Sequence, residues 1–241
     1  MTPLNRTLGL LGLTVLLVCA GCGGLPSAEQ PTPGSNSSLE TVSYPDGWTS
    51  EAVDPTTALR THRQALTDRP RQSRIEIVDN DGDNRTVSRT LDPRTQTASL
   101  RFVDTTFSTD IETYYTVEQS YEYDHTTDTM TTTRNESWNA STVGFQASNT
   151  ILRPLRNLAI EARTVVDVDG RPAIKYAVRG LKDPSQTPPN VANGSIIVSE
   201  QGYITTFEIT NSNEDYTRQY TYDLTSSESV TVSEPMWLPS K

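Results

Sequence analysis

The sequence predicts an α+β protein that is mainly β, a curved antiparallel sheet or half-barrel with helices packed on one face. Apolar residues recur with a period of two over most of the chain, which is typical of strands. Turn pairs such as Asp81-Gly82 and Asp169-Gly170 separate these runs at hairpin spacing. Only two stretches have helical spacing instead. Consecutive strands joined by short turns pair antiparallel, and the helices must then cover one face of the sheet.

The first 21 residues predict a secretory signal peptide. Arg6 is their one charged residue, and Leu8 to Val18 is an apolar run of about a dozen residues followed by small residues. That run is too short to cross a bilayer core of about 30 Å. Both cysteines of the chain, Cys19 and Cys22, lie at its end. Their Cys-x-x-Cys spacing does not indicate a redox pair, because no βαβ unit surrounds it. It does not indicate a zinc site either, because zinc requires four ligands and no second such pair is present.

The residues Ala20-Gly21 before Cys22 resemble the lipobox of lipoprotein precursors. In such precursors the cysteine thiol is alkylated by a lipid and becomes the first mature residue. Cleavage after Ala20 by ordinary signal peptidase is the alternative, and it would leave Cys22 unmodified. We therefore expect an extracytoplasmic protein, anchored to the outer face of the cell membrane through a lipid on Cys22.

Residues 22–47 are predicted to be a flexible tether. The segment is rich in Gly, Pro and Ser and poor in apolar residues, so it cannot bury enough surface to offset its chain entropy. A dispensable tail would have the same composition. Following the lipidated cysteine, the segment is interpreted as a spacer between membrane and folded domain.

The chain is acidic and poor in lysine. It has 30 Asp and Glu against 20 Lys and Arg, and loss of the signal removes only Arg6, which leaves a net charge of −11. Such a surface resembles that of halophilic proteins, where carboxylates hold water and salt screens their repulsion; an ordinary acidic protein is the alternative. The charge argues against nucleic acid as a partner. It also disfavours electrostatic docking on anionic lipid.

Residues 48–241 are predicted to form one domain that begins with a helix. Asp54 is a suitable N-cap and Pro55 a suitable first helical residue, and the apolar face that follows ends before Pro70. Strands then flank the turn at Asp81-Gly82. Further strands are expected at Ala98 to Phe102 and between Ile111 and Thr133.

A second helix is predicted from Ile151 to Ala162, with Pro154 tolerated in its first turn. Strands are expected to follow to the end of the chain, interrupted by a Pro-rich loop at 183–189 and a turn at Gly202. The strand residues expected to face this helix are Ile174, Tyr176, Val178, Tyr203, Phe207 and Ile209. Further residues of the predicted strands are Ile196, Val198, Thr205, Tyr216, Tyr220, Tyr222, Leu224, Val230 and Val232.

No catalytic motif is present, so the protein is predicted not to be an enzyme and to need no cofactor. Its two histidines, His62 and His125, lie on a helix face and at an acidic strand end, without a nucleophile motif. The stretch DNDGDN, Asp79 to Asn84, has the alternating oxygens of a calcium loop. An EF-hand requires Gly at the sixth position and Glu at the twelfth, where Asn84 and Thr90 stand, so a solvated hairpin turn and no metal are expected.

Several Asn-x-Ser/Thr sequons would permit glycosylation of an exported protein. Asn135 and Asn139, which flank Trp138 in a polar stretch, are expected to be the most exposed of them.

Several segments resemble a family of uncharacterised haloarchaeal lipoproteins: YPDGW, DPTTALRTHRQAL, VVDVDGRPAIKYAV, SIIVSEQGYITTFEI and VSEPMW. The layout is also remotely similar to that of the bacterial lipoprotein carriers of the LolA and LppX type. The resemblance covers most of the chain after Tyr44 and consists of turns and strand patterns. It implies a half-barrel whose concave face, closed by helices, can hold acyl chains, and it carries over no individual ligand-binding residue.

We therefore expect a non-catalytic lipoprotein that binds a lipid or another apolar ligand. The residues predicted to line the ligand site are Tyr176, Val178, Phe207, Leu152 and Leu155. A structural or interaction protein of the cell envelope, with no ligand, is the alternative, and an enzyme ranks third. The sequence names no protein partner.

Overall fold

In the computed structural model, one curved, open antiparallel sheet of eleven strands and one helix form the described part of the chain. The structure describes residues 38–133, 138, 151, 154–185 and 190–239. The signal segment, the lipobox with Cys22, the sequons at Asn135 and Asn139, and Leu152 lie outside these residues. The prediction of a mainly β fold with a curved antiparallel sheet is confirmed.

Helix α1 spans Pro55–Leu66 and begins as predicted. The Asp54 carboxylate accepts hydrogen bonds from the backbone N–H groups of Thr56 and Thr57, which have no partner within the helix. The buried residues of the helix lie at helical spacing and face the sheet; they are Ala58, Leu59, His62 and Leu66.

The strands follow one another as an antiparallel meander in two runs. The first run is β1 Arg71–Asp79, β2 Asn84–Asp92, β3 Thr97–Asp104, β4 Thr109–Tyr115, β5 Ser120–Asp124 and β6 Thr129–Thr133. The second run is β7 Leu158–Val168, β8 Arg171–Leu181, β9 Val191–Ser199, β10 Ile204–Ser212 and β11 Thr217–Ser226. The order across the sheet is β6-β5-β4-β3-β2-β1-β11-β10-β9-β8-β7.

The first and last strands pair at the middle of the sheet. In this central pair Ile75 lies opposite Tyr222, and Ile77 lies opposite Tyr220. Because side chains alternate along a strand, these four point to the same face. We call this the covered face, since α1 packs on it through the shared hydrophobic core.

The prediction of a second helix over Ile151 to Ala162 is wrong in its second half. Ile151, Pro154 and Leu155 are helical and buried, but β7 begins at Leu158. Leu158 and Ala162 belong to the predicted helical pattern, but together with Ile160 they also have the spacing of two that is typical of a strand. Ten residue pairs between β7 and β8 stabilise the strand. Among the described residues, α1 is therefore the one complete helix on the sheet, where the sequence predicted more than one.

Two further details of the predicted strands are wrong. A β-bulge between Ile204 and Thr206 shifts the register of β10, so that Ile204 is buried with Phe207 and Tyr203 is not in the core. Near the C-terminus, β11 ends at Ser226, and Val230 and Val232 lie outside any strand.

Candidate functional site

The covered face has two regions with different packing. The first region, over β7 to β11, is filled by side chains and closed by α1, Trp48 and Leu155. The second region, over β1, β2, β3 and β11, contains a cavity.

The residues predicted to line a ligand lie in the filled region. Tyr176, Val178, Phe207 and Leu155 are all buried in one hydrophobic cluster. The ring centroids of Trp48 and Tyr176 are 5.0 Å apart, a contact distance for packed aromatic rings. None of the four lines the cavity of the second region or the polar cleft at the other end of the sheet, and their contact with a ligand stays a prediction.

The cavity in the second region has a volume of about 410 Å³. Its apolar floor consists of Ile77, Val87, Phe102 and Tyr220, which come from four adjacent strands. Its rim lies at the β1–β2 turn and at the turn after β3, and the polar residues there are Asp79, Asp83, Asn84, Arg85, Thr106 and Arg218. A cavity of this volume, with an apolar floor and a polar rim, is large enough for a small molecule.

The two arginines at the rim are both paired with carboxylates. Arg218 donates to both carboxylate oxygens of Asp79, at 2.5 and 2.8 Å, and these bonds are the main cause that lowers the pKa of Asp79. Arg85 donates to Asp104 at 2.7 Å. Burial acts to raise the pKa of Asp104, but the hydrogen bond and charge of Arg85 outweigh it, so the pKa is lowered. Both arginines of the rim are thus neutralised, and Asp83 adds a negative charge there.

Arg89 is the buried charge of the covered face. Its side chain lies on the same face of β2 as Val87 and Leu91, only 6% of its surface is exposed, and its Nε has no hydrogen-bond partner. Burial, before any other cause, lowers the pKa of Arg89 to about 10. Arg89 is not among the site residues predicted from the sequence. At a spacing of two, Arg85 and Arg89 alternate with Val87 and Leu91, so the sequence pattern does not distinguish the buried arginine from the one at the rim.

A second cleft, of about 650 Å³, lies at the other end of the sheet. It is mainly polar, and its residues include Arg69, Arg171, Tyr203 and the segment 225–229. The guanidinium of Arg69 stacks over the ring of Tyr203, 5.9 Å from its centroid. Tyr203, which lies outside the core because of the bulge in β10, therefore packs against Arg69.

The histidines are held by separate structural contacts. His62 is buried, and its Nδ1 accepts a hydrogen bond from the backbone N–H of Ile204. His125 lies beyond β5, with its Nε2 3.2 Å from Glu112 Oε2. Among the described residues there is no group of three or more His, Cys, Asp or Glu placed to hold a metal ion. No helix in the described ranges has the length and apolar character needed to cross a membrane.

No family profile matches the sequence. No curated relative matches it either. Among solved structures, LprF from Mycobacterium bovis is similar at 10% identity, with a TM-score of 0.37, over 78% of this chain and 99% of that protein. An uncharacterised conserved protein from Thermus thermophilus is similar at 10% identity, with a TM-score of 0.32, over 70% of this chain and 86% of that protein.

A LolA superfamily protein from Nitrosomonas europaea is also similar, at 7% identity and a TM-score of 0.25, over 76% of this chain and 96% of that protein. LolA is one of the two protein types that the layout of the sequence remotely resembles. All three TM-scores are below 0.5, so the function has to be argued from the residues of this chain.

Proposed function

We propose that this chain is a non-catalytic lipoprotein that holds a lipid or another apolar ligand in the cavity on the covered face. In this proposal a lipid on Cys22 anchors it to the outer face of the cell membrane, and the tether holds the domain away from the bilayer.

The single observation that supports ligand binding is the cavity of about 410 Å³ with its floor of Ile77, Val87, Phe102 and Tyr220. The cavity is open to solvent, and Ile77 and Phe102 on its floor are only partly buried. An apolar ligand that covers this floor would displace water from it, which favours binding. The polar rim at the β1–β2 turn would face the solvent.

One observation favours the alternative, an envelope protein without a ligand. The filled region over β7 to β11 leaves no space at Tyr176 or Phe207, which are 0% and 1% exposed. A protein that uses its sheet only as a scaffold would be packed in this way throughout. The cavity over β1 to β3 is what distinguishes the two proposals.

Ligand binding is tested with the exported full chain and the fluorescent probe pyrene-dodecanol, which carries an apolar chain and no charge. Native mass spectrometry of protein from its own membrane shows in parallel whether a lipid co-purifies. We expect probe binding by the unaltered chain and a loss of about tenfold or more in affinity for Ile77→Trp, because the indole would fill the cavity.

Val78→Trp is the matched control, since Val78 is the neighbouring residue of β1 on the opposite face. It should bind the probe as the unaltered chain does. If the probe does not bind, and no lipid co-purifies, the alternative without a ligand is correct. Equal losses in both variants would place the probe elsewhere.

The anchor is tested separately by Cys22→Ser, which should release the protein into the medium. Cys19→Ser is the control, because Cys19 departs with the signal peptide and its loss should leave the protein on the cell. If the Cys22→Ser protein stays on washed membranes, the lipid does not hold it there.

A further inference from the structure

Arg89 is a buried cation without an anion among the described residues. It is 6% exposed, its Nε is unpartnered, and no described carboxylate forms an ion pair with it. Removing a charge from water costs several kcal/mol unless a partner compensates. A folded protein keeps such a residue at a large cost in stability, and an anion that binds there would recover part of that cost.

The charged and titratable groups around Arg89 increase this cost. Arg71, on the adjacent strand β1, repels it. Tyr222 and Tyr115 are the other groups that act on its charge, and burial raises the pKa of Tyr222, so its hydroxyl stays neutral. Arg71 has partners of its own, since its Nη1 donates to the backbone carbonyls of Leu66 and Arg69 at 2.5 and 3.2 Å. Two guanidinium groups thus lie on the covered face with no described carboxylate between them.

Arg89 is also next to the cavity. Val87, which lines the cavity, precedes it by two residues on the same face of β2. At a rise of about 3.4 Å per residue, their Cα atoms are about 7 Å apart. The other end of the cavity has Arg85 and Arg218, but each is neutralised by an aspartate. Of the three arginines, Arg89 is the one without a carboxylate partner among the described residues.

We infer that Arg89 binds the anionic group of an amphipathic ligand whose apolar chain lies in the cavity over Ile77, Val87 and Phe102. This inference rests on the proposed function and specifies the class of ligand as a lipid with a carboxylate or phosphate head. The guanidinium fork matches both groups in a bidentate geometry. The ligand enters with its head towards α1 and its chain towards the β1–β2 turn.

The test compares two probes with the same apolar chain, pyrene-dodecanoic acid and pyrene-dodecanol, on the exported full chain. We expect the acid to bind about tenfold or more tightly than the alcohol, because charge-assisted hydrogen bonds to a buried cation are strong. In Arg89→Met the acid should lose this advantage, while the alcohol should bind within about threefold of its original affinity. Arg89→Lys keeps the charge and should keep most of the preference for the acid.

Arg74→Met is the matched control, because Arg74 lies on β1 with 57% of its side chain exposed and pairs only with Glu76 at 3.5 Å. It should leave both affinities unchanged. The melting temperature without ligand gives a second readout. Arg89→Met should raise it, because an apolar side chain replaces an uncompensated buried charge, whereas a merely structural arginine would lower it on removal.

The outcomes separate the two levels of the proposal. Equal binding of acid and alcohol by the unaltered chain would overturn the role of Arg89 and leave the apolar site standing. If neither probe binds, both the role of Arg89 and the apolar ligand site are excluded. Inorganic phosphate that competes fully with the acid probe at equal concentration would show that Arg89 binds a free anion and not a lipid head.

Discussion

The backbone N–H of Ile204 donates a hydrogen bond of 3.0 Å to Nδ1 of His62, and this bond joins α1 to the sheet at the bulge of β10. The acceptor nitrogen must be unprotonated, so the bond requires a neutral imidazole. Burial is the main cause that lowers the pKa of His62 to about 3, and the charges of Arg71 and Arg63 act in the same direction.

This pKa predicts loss of stability in mild acid. The unfolded chain takes up a proton at His62 near pH 6.5, whereas the folded chain does so only near pH 3, so between these values the unfolded state binds more protons. The stabilisation is complete above pH 6.5 and decreases as the pH falls towards 3, by an amount on the order of a few kcal/mol. Urea denaturation between pH 7 and 5 measures how the free energy of unfolding changes with pH. Most carboxylates stay ionised in this range and do not contribute to that slope.

His62→Asn should flatten that slope, because the amide oxygen can accept the bond from Ile204 but does not titrate. His125→Asn is the control on an exposed histidine, and it should retain the slope of the unaltered chain. Identical slopes in all three proteins would show that His62 is not the group responsible.

The filled region of the covered face predicts a large cost for removing Phe207. Its ring is 1% exposed and stacks on Tyr222 with a centroid distance of 5.2 Å. Phe207→Ala should lower the free energy of unfolding by about 3 to 5 kcal/mol. Phe107→Ala, at a ring that is 72% exposed, should change it by less than about 0.5 kcal/mol. A small effect of Phe207→Ala in urea denaturation would mean that the region is loosely packed.

The net charge of −10, or −11 without the predicted signal peptide, predicts that the domain is less stable in low salt. The screening length grows from about 3 Å at 1 M salt to about 10 Å at 0.1 M, which lets the carboxylates repel each other. The ion pairs of Asp79, Asp104 and Asp92 act in the opposite direction, since lower salt strengthens them. We expect repulsion to dominate and the melting temperature to fall at 0.1 M salt. A constant or higher value would exclude halophilic adaptation of the surface.

Local chemistry explains which elements could be predicted. Asp54 and Pro55 determine the start of α1 by capping and by a fixed φ angle. The turn at Asp169-Gly170, with φ angles of 53° and 76°, is readable because few residues adopt such a backbone. Signals of this kind depend on one or two residues and require no knowledge of the rest of the fold.

The errors come from features that depend on distant strands. Leu158 to Ala162 satisfies the helical and the strand period equally, and only the presence of β8 decides between them. The bulge at Ile204 leaves no mark in the sequence, and it moves Tyr203 from the expected face. Arg89 could not be assigned because its significance lies in the absence of a carboxylate among its described neighbours.

The pairing of β1 with β11 sets the order in which the molecule can be built. Ser226 Oγ donates a hydrogen bond to the carbonyl oxygen of Pro70, 156 residues earlier in the chain, so the centre of the sheet cannot close until the last strand has been synthesised. Each run of strands can form hairpins on its own. Pairing β1 with β11 has to bring together the two ends of the segment that contains β2 to β10, at a cost in chain entropy. We therefore expect this pairing to be the slow step of folding. Until then the inner edges of β1 and β11 have unpaired backbone groups and can pair with other chains.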